Sequence, residues 1–380
     1  MSGKATFGIL GGYGATGKVV VAELFNRCDG EILIGGRDLA KAQAVASQFN
    51  ARVSSARLDV LDAASLDDFC GRCSVVVNCA GPVMELQDRP AQAALRKRCH
   101  YVDLAGMGIV AERMLPSSRE IAGAGLCFVI SAGWMPGLTE LLPAYACAQA
   151  RAKMDAIESL AVYFGDCGHW SDSALRDGVS FIRKSGLRSP GYFRKGQRTR
   201  AKPSETFQKV DLGNPLGSRR FALYFMPESM ELGRQLSDCD FRSYSHLSGM
   251  RAVFDATAIA LLPLPESIHV HLLRGVFERN RMPVGGFAAA RVVGTSAGRR
   301  QTLTCQITFE SSRDYWINGV AVATAARLIS QGNGVKAGVR YLFDAVDPIA
   351  FMAELRNAGI NLTEDLAAVT PAPASMAAAG

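Results

Sequence analysis

A strand-length apolar run, Thr6 to Leu10, ends in Gly11-Gly12-Tyr13-Gly14-Ala15-Thr16-Gly17, and a helical apolar pattern (Val19, Val20, Ala22, Leu24) begins at once. The next strand-like run is Glu31 to Gly35. A Gly12-x-Gly14-x-x-Gly17 turn inside a strand–helix–strand unit constrains the chain strongly. Gly12 allows the tight turn, Gly14 lets the backbone approach a pyrophosphate, and Gly17 lets the helix pack close to the strand. The free N–H groups at the helix start then face phosphate oxygens. Tyr13, Ala15 and Thr16 complete the turn, and the unit is read as a dinucleotide site.

The end of the second strand selects between nicotinamide nucleotides. Gly36-Arg37 stands there, with Arg37 twenty residues after Gly17. A guanidinium pairs with a ribose 2′-phosphate through two parallel hydrogen bonds, and Gly36 leaves it room. That reading gives NADP(H); Asp38, one residue on, would instead serve the ribose hydroxyl of NAD.

The alternation of helical and strand patterns continues to Ser131 and predicts a doubly wound Rossmann-type parallel α/β sheet of about six strands. A strand from Ala51 leads to Asp59, on the adenine side. The apolar strand Ser74 to Ala80 stops at Cys79-Ala80-Gly81-Pro82, at the carboxyl edge where ligands bind in such sheets. Cys70-x-x-Cys73 lies after a helix, whereas a redox pair needs its first cysteine at a helix N-terminus, so it is read as structural.

Composition narrows the class. The chain has 380 residues, 48% apolar and 20% charged, with a net charge of +7, which suits an anionic ligand without arguing for nucleic acid. Ten scattered cysteines in apolar surroundings read as reduced thiols. No secretory signal is read at the start and no apolar run reaches 18 residues, so the expectation is a cytoplasmic chain without a membrane span.

Together Gly11–Gly17, Gly36-Arg37, Asn78-Cys79-Ala80-Gly81-Pro82, Tyr101-Val102-Asp103-Leu104-Ala105-Gly106 and Gly133-Trp134-Met135-Pro136-Gly137 resemble the saccharopine dehydrogenase-like family of NADP-dependent oxidoreductases. Asp347 to Leu355 with Gly359-Ile360 is similar to that family's closing helix. The resemblance implies hydride transfer from NAD(P)H, either to an imine or, in another branch, to an enoyl chain. It also implies a homodimer. One departure stands out. Met135 occupies a position where the family often carries an aspartate, which tilts the pocket, with Trp134, toward something apolar or aromatic.

The middle of the chain reads differently. A strand, Ser159 to Phe164, precedes a loop with His169 and Trp170, and Asp172 reads as the cap of a helix. The resemblance places that loop at the nicotinamide cleft, with His169 as a proton donor and Trp170 over an apolar ligand face. Residues 183–202 hold eight basic side chains and no acid, either a solvated hairpin or an attraction for an acidic partner such as a carrier. Ser267 to Leu273 reads as a strand that puts His269 and His271 on one face; two ligands do not make a metal site, and none is expected.

The expected organisation is a discontinuous NADP-binding domain (1–150 plus 312–365), an inserted α+β substrate and dimerisation domain (151–311) and a disordered tail (366–380). The leading reading is an NADPH-dependent reductase of a C=N bond, of the opine or cyclic imine kind, acting on a small molecule in a biosynthetic pathway, with His169, Tyr101 and Asp103 as acid candidates. A trans-acting enoyl reductase on a carrier- or coenzyme A-bound chain is the second. An NADP-binding regulator without turnover is the third.

Overall fold

The computed structural model describes residues 4–166, 170–185, 191–246, 255, 258–259, 261–278 and 284–368. Six strands alternate with helices along the first third: β1 (Thr6–Leu10), β2 (Glu31–Gly36), β3 (Val53–Arg57), β4 (Val75–Asn78), β5 (His100–Asp103) and β6 (Cys127–Ile130). The second sheet takes β7 (Ala156–Asp166), β8 (Gly191–Arg194), β9 (Gln197–Arg200), β10 (Phe207–Asp211), β11 (Ser218–Leu223), β12 (Asp240–His246), β13 (Gly286–Ser296) and β14 (Arg299–Phe309). Then β15 (Gly338–Tyr341) returns to the first sheet, and β16 (Asn361–Ala368) to the second.

The first sheet is parallel throughout, in the order β15-β6-β5-β4-β1-β2-β3. Both faces are buried, so alternate side chains of one strand feed two cores. Ile9, Val75, Val77 and Val102 pack with the helix Ala15–Arg27 on one side; Leu10, Val76, Tyr101 and Phe128 pack with Leu66 and Phe69 on the other. That two-sided burial is why β4 reads as an unbroken apolar run. Each such side chain contributes about 1.5–3 kcal/mol on burial.

The helix Asp314–Ser330 lies against Ala15–Arg27. Its Gly319 makes this approach possible, since a Cβ there would lie 2.5 Å from the Val19 Cβ. A late segment of the chain thus braces the helix that opens at Gly14.

The second sheet runs β10-β11-β12-β7-β13-β14-β16, with β8 and β9 attached to β12. Its pairs are antiparallel except β12 with β7. Two hairpins close through two-residue turns with positive φ at both positions, Lys195-Gly196 and Ala297-Gly298, whose twist matches that of the strands. The helix Leu138–Arg151 covers β7, β13 and β14.

Three expectations change. Ser267 to Leu273 is helical, within Glu266–Glu278: its apolar residues alternate over a short stretch, but the buried set Val270, Leu273 and Val276 recurs every three residues. His269 is therefore buried and His271 exposed, on different sides of the helix. Residues 361–365 leave the cofactor unit, and 366–368, read as part of the tail, are the end of β16 paired with β14. Ser171, not Asp172, caps the helix Asp172–Ser185, its Oγ accepting from the Ala174 N–H at 3.2 Å.

Candidate functional site

The strand order reverses between β1 and β4, which opens a crevice at their carboxyl ends. Two loops meet there. The glycine turn follows β1, and Cys79 to Pro82 follows β4. At Gly11, with φ of +71°, a Cβ would sit 3.1 Å from the Ala80 backbone, so the loops are in contact. A Cβ on Gly17 would sit 2.3 Å from the Gly11 carbonyl oxygen, so only glycine closes this turn. The result is an uncrowded helix start that faces the crevice, the cradle a pyrophosphate needs.

The ribose end is equally defined. Arg37 is exposed and makes no hydrogen bond or ion pair within the described residues. Asp38 is engaged: its carboxylate accepts from the Lys41 N–H at 3.1 Å, caps the helix Leu39–Ala46 and pairs with the Lys41 ammonium at 3.2 Å. Those bonds hold its pKa below the usual carboxylate range. A guanidinium without a partner beside a spent carboxylate fits a 2′-phosphate better than a ribose hydroxyl. The Tyr13 ring lies over Gly36, where a Cβ would meet its Cε1 at 2.2 Å.

At the carboxyl end of β5, the strand beside β4, three buried carboxyl groups gather. Asp103 ends β5; its Oδ1 accepts from the Ser131 N–H at 2.8 Å, and its Oδ2 has no partner. Burial pushes its pKa up to about 7, against the backbone donors Ser131 and Gly106. Glu228 comes from the helix Pro227–Gln235. Its Oε1 accepts from the Ser131 Oγ at 2.8 Å and the Gly108 N–H at 3.0 Å, and its Oε2 has no partner. Burial, with the Glu140 charge second, pushes its pKa up to about 7. Glu140 accepts from the Gly137 N–H, the Thr139 hydroxyl and the Ser229 hydroxyl, and its pKa is raised by burial. A carboxyl group poised near neutrality in a dry site can give or take a proton.

Residues 7–129 match the family model described as the saccharopine dehydrogenase NADP binding domain. Those residues carry an NADP-binding domain of that family. Among solved structures, apo saccharopine dehydrogenase (L-Glu forming) from Saccharomyces cerevisiae shares the fold at a TM-score of 0.66 and 16% identity, over 95% of this chain and 99% of that one. GenD2 from gentamicin A biosynthesis, in complex with NAD, superposes at 0.45 and 13% identity over 95% and 96% of the two chains. The 3-ketoacyl-(acyl-carrier-protein) reductase from Brucella melitensis, complexed with NADH, reaches 0.29 at 16% identity over 34% of this chain and 73% of its own.

In this chain the anticipated residues fall into three groups. Gly12, Tyr13, Gly14, Ala15, Thr16, Gly17, Gly36, Arg37, Cys79, Ala80, Gly81 and Pro82 line the two crevice loops and the end of β2. Asp59 is exposed beyond β3, where its Oδ1 accepts from the Leu61 N–H at 3.0 Å. The second group is buried. The Tyr101 ring packs on Phe128, 5.5 Å between centroids, and burial raises the phenol pKa well above its ordinary value, so the group keeps its proton. Trp134 is 2% exposed and meets Phe309 edge-on, as a core residue, while Met135 is half-buried beside it.

The third group belongs to the second unit. Trp170 is partly buried against the small core that Leu175 and Val179 form with Val270, Leu273 and Val276 of a second helix. His169 lies outside the described residues. His100, at the far end of β5 from Asp103, accepts from the Cys127 N–H through Nδ1 at 3.1 Å. Ser131, Glu140, Asp177 and Glu228 were not anticipated. Glu140 three residues past Gly137, and Glu228 directly after Pro227, carry a faint signal of helix starts.

All nine described cysteines are free, and burial pushes Cys70 and Cys73 up to about 12. Among the described residues no group of three or more His, Cys, Asp or Glu is placed to hold a metal ion, and no helix is long and apolar enough to cross a membrane.

Proposed function

We propose that this chain is an NADPH-dependent reductase of a C=N bond in a small metabolite, with Asp103 as the proton donor. Bound at the glycine turn, NADPH supplies the hydride. The protein's own part is binding, orientation and proton delivery. Gly11 to Gly17 would hold the pyrophosphate and Arg37 the 2′-phosphate.

One observation carries the reading. Asp103 stands at the carboxyl end of the strand beside β4, next to the crevice, with Oδ2 unpartnered and a pKa pushed up to about 7. An imine accepts hydride readily once its nitrogen is protonated, and an acid whose protonated form is still well populated near neutral pH meets that need. Tyr101 is the weaker candidate, since its phenol is driven upward by burial and keeps its proton. His169 stays in the proposal as an alternative donor from the other side.

A second reading, a reductase of carrier-bound enoyl chains, is favoured by the β8–β9 hairpin. Its Arg194, Lys195, Arg198 and Arg200 are exposed, and an acidic carrier would meet them.

The test is NADPH oxidation against two panels: mixtures of amines with ketones or 2-oxo acids, and enoyl esters of acyl carrier protein and coenzyme A. Oxidation on the first alone supports imine reduction, and Asp103→Asn should then lower kcat at least about 100-fold with NADPH affinity unchanged. Oxidation on the second alone replaces it with the enoyl reading. Binding without turnover on either panel removes both.

A further inference from the structure

We infer that Glu228 is a positioning residue for the chemistry at Asp103, reaching across from the second unit to fix Ser131 and the turn after β5. The inference rests on the reading of Asp103 as the proton donor.

The connection is continuous and short. Pro227 seats the helix Pro227–Gln235 against the turn: at Gly108, with φ of +75°, a Cβ would lie 2.5 Å from the Pro227 Cβ. Glu228, one residue on, takes the Gly108 N–H at 3.0 Å and the Ser131 Oγ at 2.8 Å on one oxygen. The Ser131 Oγ in turn accepts from the Gly106 N–H at 3.2 Å, and the Ser131 N–H donates to Asp103 Oδ1 at 2.8 Å. Ser131 thus bridges two carboxyl groups, Asp103 through its backbone and Glu228 through its side chain. Both acids and the serine are 1% exposed, so water does not compete for these bonds.

Backbone conformation supports the same conclusion. Ser131 has a φ of +58°, a left-handed conformation that a residue with a side chain takes up only where its surroundings impose it. Here the imposing groups are Asp103 behind it and Glu228 in front. Without the Glu228 carboxyl, nothing described holds the Ser131 hydroxyl from the second unit or satisfies the Gly108 N–H. The turn and Ser131 could then relax together, and Asp103 would lose donors that favour its ionised form.

Among the described residues, the groups around the pair are mostly neutral or acidic. Facing it are the Cys79 thiol beyond β4 and the phenols of Tyr101, Tyr224 and Tyr341. Glu140 lies on the neighbouring helix, and Glu231 and Arg234 are on the same helix as Glu228. Among these only Arg234 is cationic, and it is engaged by Glu231 at 2.9 Å.

The experiment reads Asp103 directly and needs no substrate. In the full chain labelled with carbon-13 at aspartate carboxyl carbons, the Asp103 resonance is assigned by its loss in Asp103→Asn and titrated with pH. Glu228→Ala should raise its midpoint by about one pH unit, because the tether to the Ser131 and Gly106 donors is lost. Glu228→Gln keeps an acceptor oxygen for both donors and should leave the midpoint within about 0.3 pH units. Ser131→Ala, which cuts only the hydroxyl link, should raise it by about half a unit and serves if Glu228→Ala does not fold. An unmoved midpoint in the folded Glu228→Ala or Ser131→Ala chain overturns the inference. So does a Glu228→Gln midpoint displaced as far as that of the alanine variant, since charge would then matter and not the tether. Absence of turnover on both substrate panels would remove the functional reading and leave this titration intact.

Discussion

Asp177 and Met84 are 93 residues apart in sequence and are joined by a 3.0 Å hydrogen bond, from the Met84 N–H to the Asp177 carboxylate. The other carboxylate oxygen takes the Val83 N–H at the same distance. A helix of the second unit thereby caps the short helix Val83–Leu86, which follows Gly81-Pro82 in the cofactor crevice. Gly81 leaves space for it, since a Cβ there would meet the Ser173 Oγ at 2.4 Å.

This cap should depend on pH. Burial pushes Asp177 up to about 6, against the pull of its two backbone donors. Below that pH the carboxyl takes a proton and one of its oxygens becomes a poorer acceptor. The protection of the Val83 and Met84 amides in hydrogen exchange should fall as pH drops from 7 to 5. Asp177→Ala should abolish that dependence and weaken NADPH binding about tenfold, measured by fluorescence titration. Unchanged protection in the variant would show that the bonds do not hold the short helix.

Arg37→Ala tests the phosphate clamp. A charge-assisted pair with a phosphate is worth about 1.5–3 kcal/mol, so the NADPH dissociation constant should rise roughly 10- to 100-fold while that for NADH stays within about twofold. Equal losses for the two nucleotides would remove Arg37 from the choice between them.

Gly17→Ala asks whether the turn tolerates a methyl group. The added carbon would meet the Gly11 carbonyl oxygen at 2.3 Å, and a backbone atom cannot swing aside. Nucleotide binding should be lost, or the melting temperature should drop by several degrees. Gly178→Ala is the control: it lies in the helix Asp172–Ser185, with nothing within 4 Å of the new Cβ, and should be neutral or mildly stabilising.

Asp103 and Glu228 should leave a mark on stability. Both are pushed up to about 7 in the folded chain, from ordinary values of 3.8 and 4.5. The fold therefore holds their protons more tightly than the unfolded chain does. Their contribution is fully present below about pH 4 and is lost as pH rises through about 7. The urea midpoint of wild type should carry this falling component, and Asp103→Asn combined with Glu228→Gln should flatten it. An identical pH dependence in that double variant would mean that neither group is shifted.

The cofactor half of the molecule was legible for a physical reason. Strands buried on both faces leave apolar runs, and a pyrophosphate turn leaves glycines at fixed spacing, so Thr6–Leu10, Val75–Asn78 and Gly11–Gly17 could be read directly. The strand that ends at Asp103 was legible too, and the structure buries that carboxyl group at its end. Glu140 and Glu228 were not legible. Each sits in the first turn of a helix, where an acid is an ordinary feature, and nothing local says that the side chain turns inward. Their partners, Ser229 for Glu140 and Ser131 for Glu228, are 89 and 97 residues away in sequence. Ser267 to Leu273 misled because alternation over seven residues is compatible with either period until the burial of Val276 decides it.

The course of the chain near its end has a practical consequence. After β14 it crosses back to brace the first helix and add β15, then crosses once more to lay β16 along β14. No single cut yields two independent pieces. A fragment ending near residue 310 would bare an edge of each sheet at once, one at β6 and one at β14. Expression of the halves from separate genes should therefore give insoluble product, whereas co-expression of a fragment ending near 310 with the remaining C-terminal segment could restore the whole.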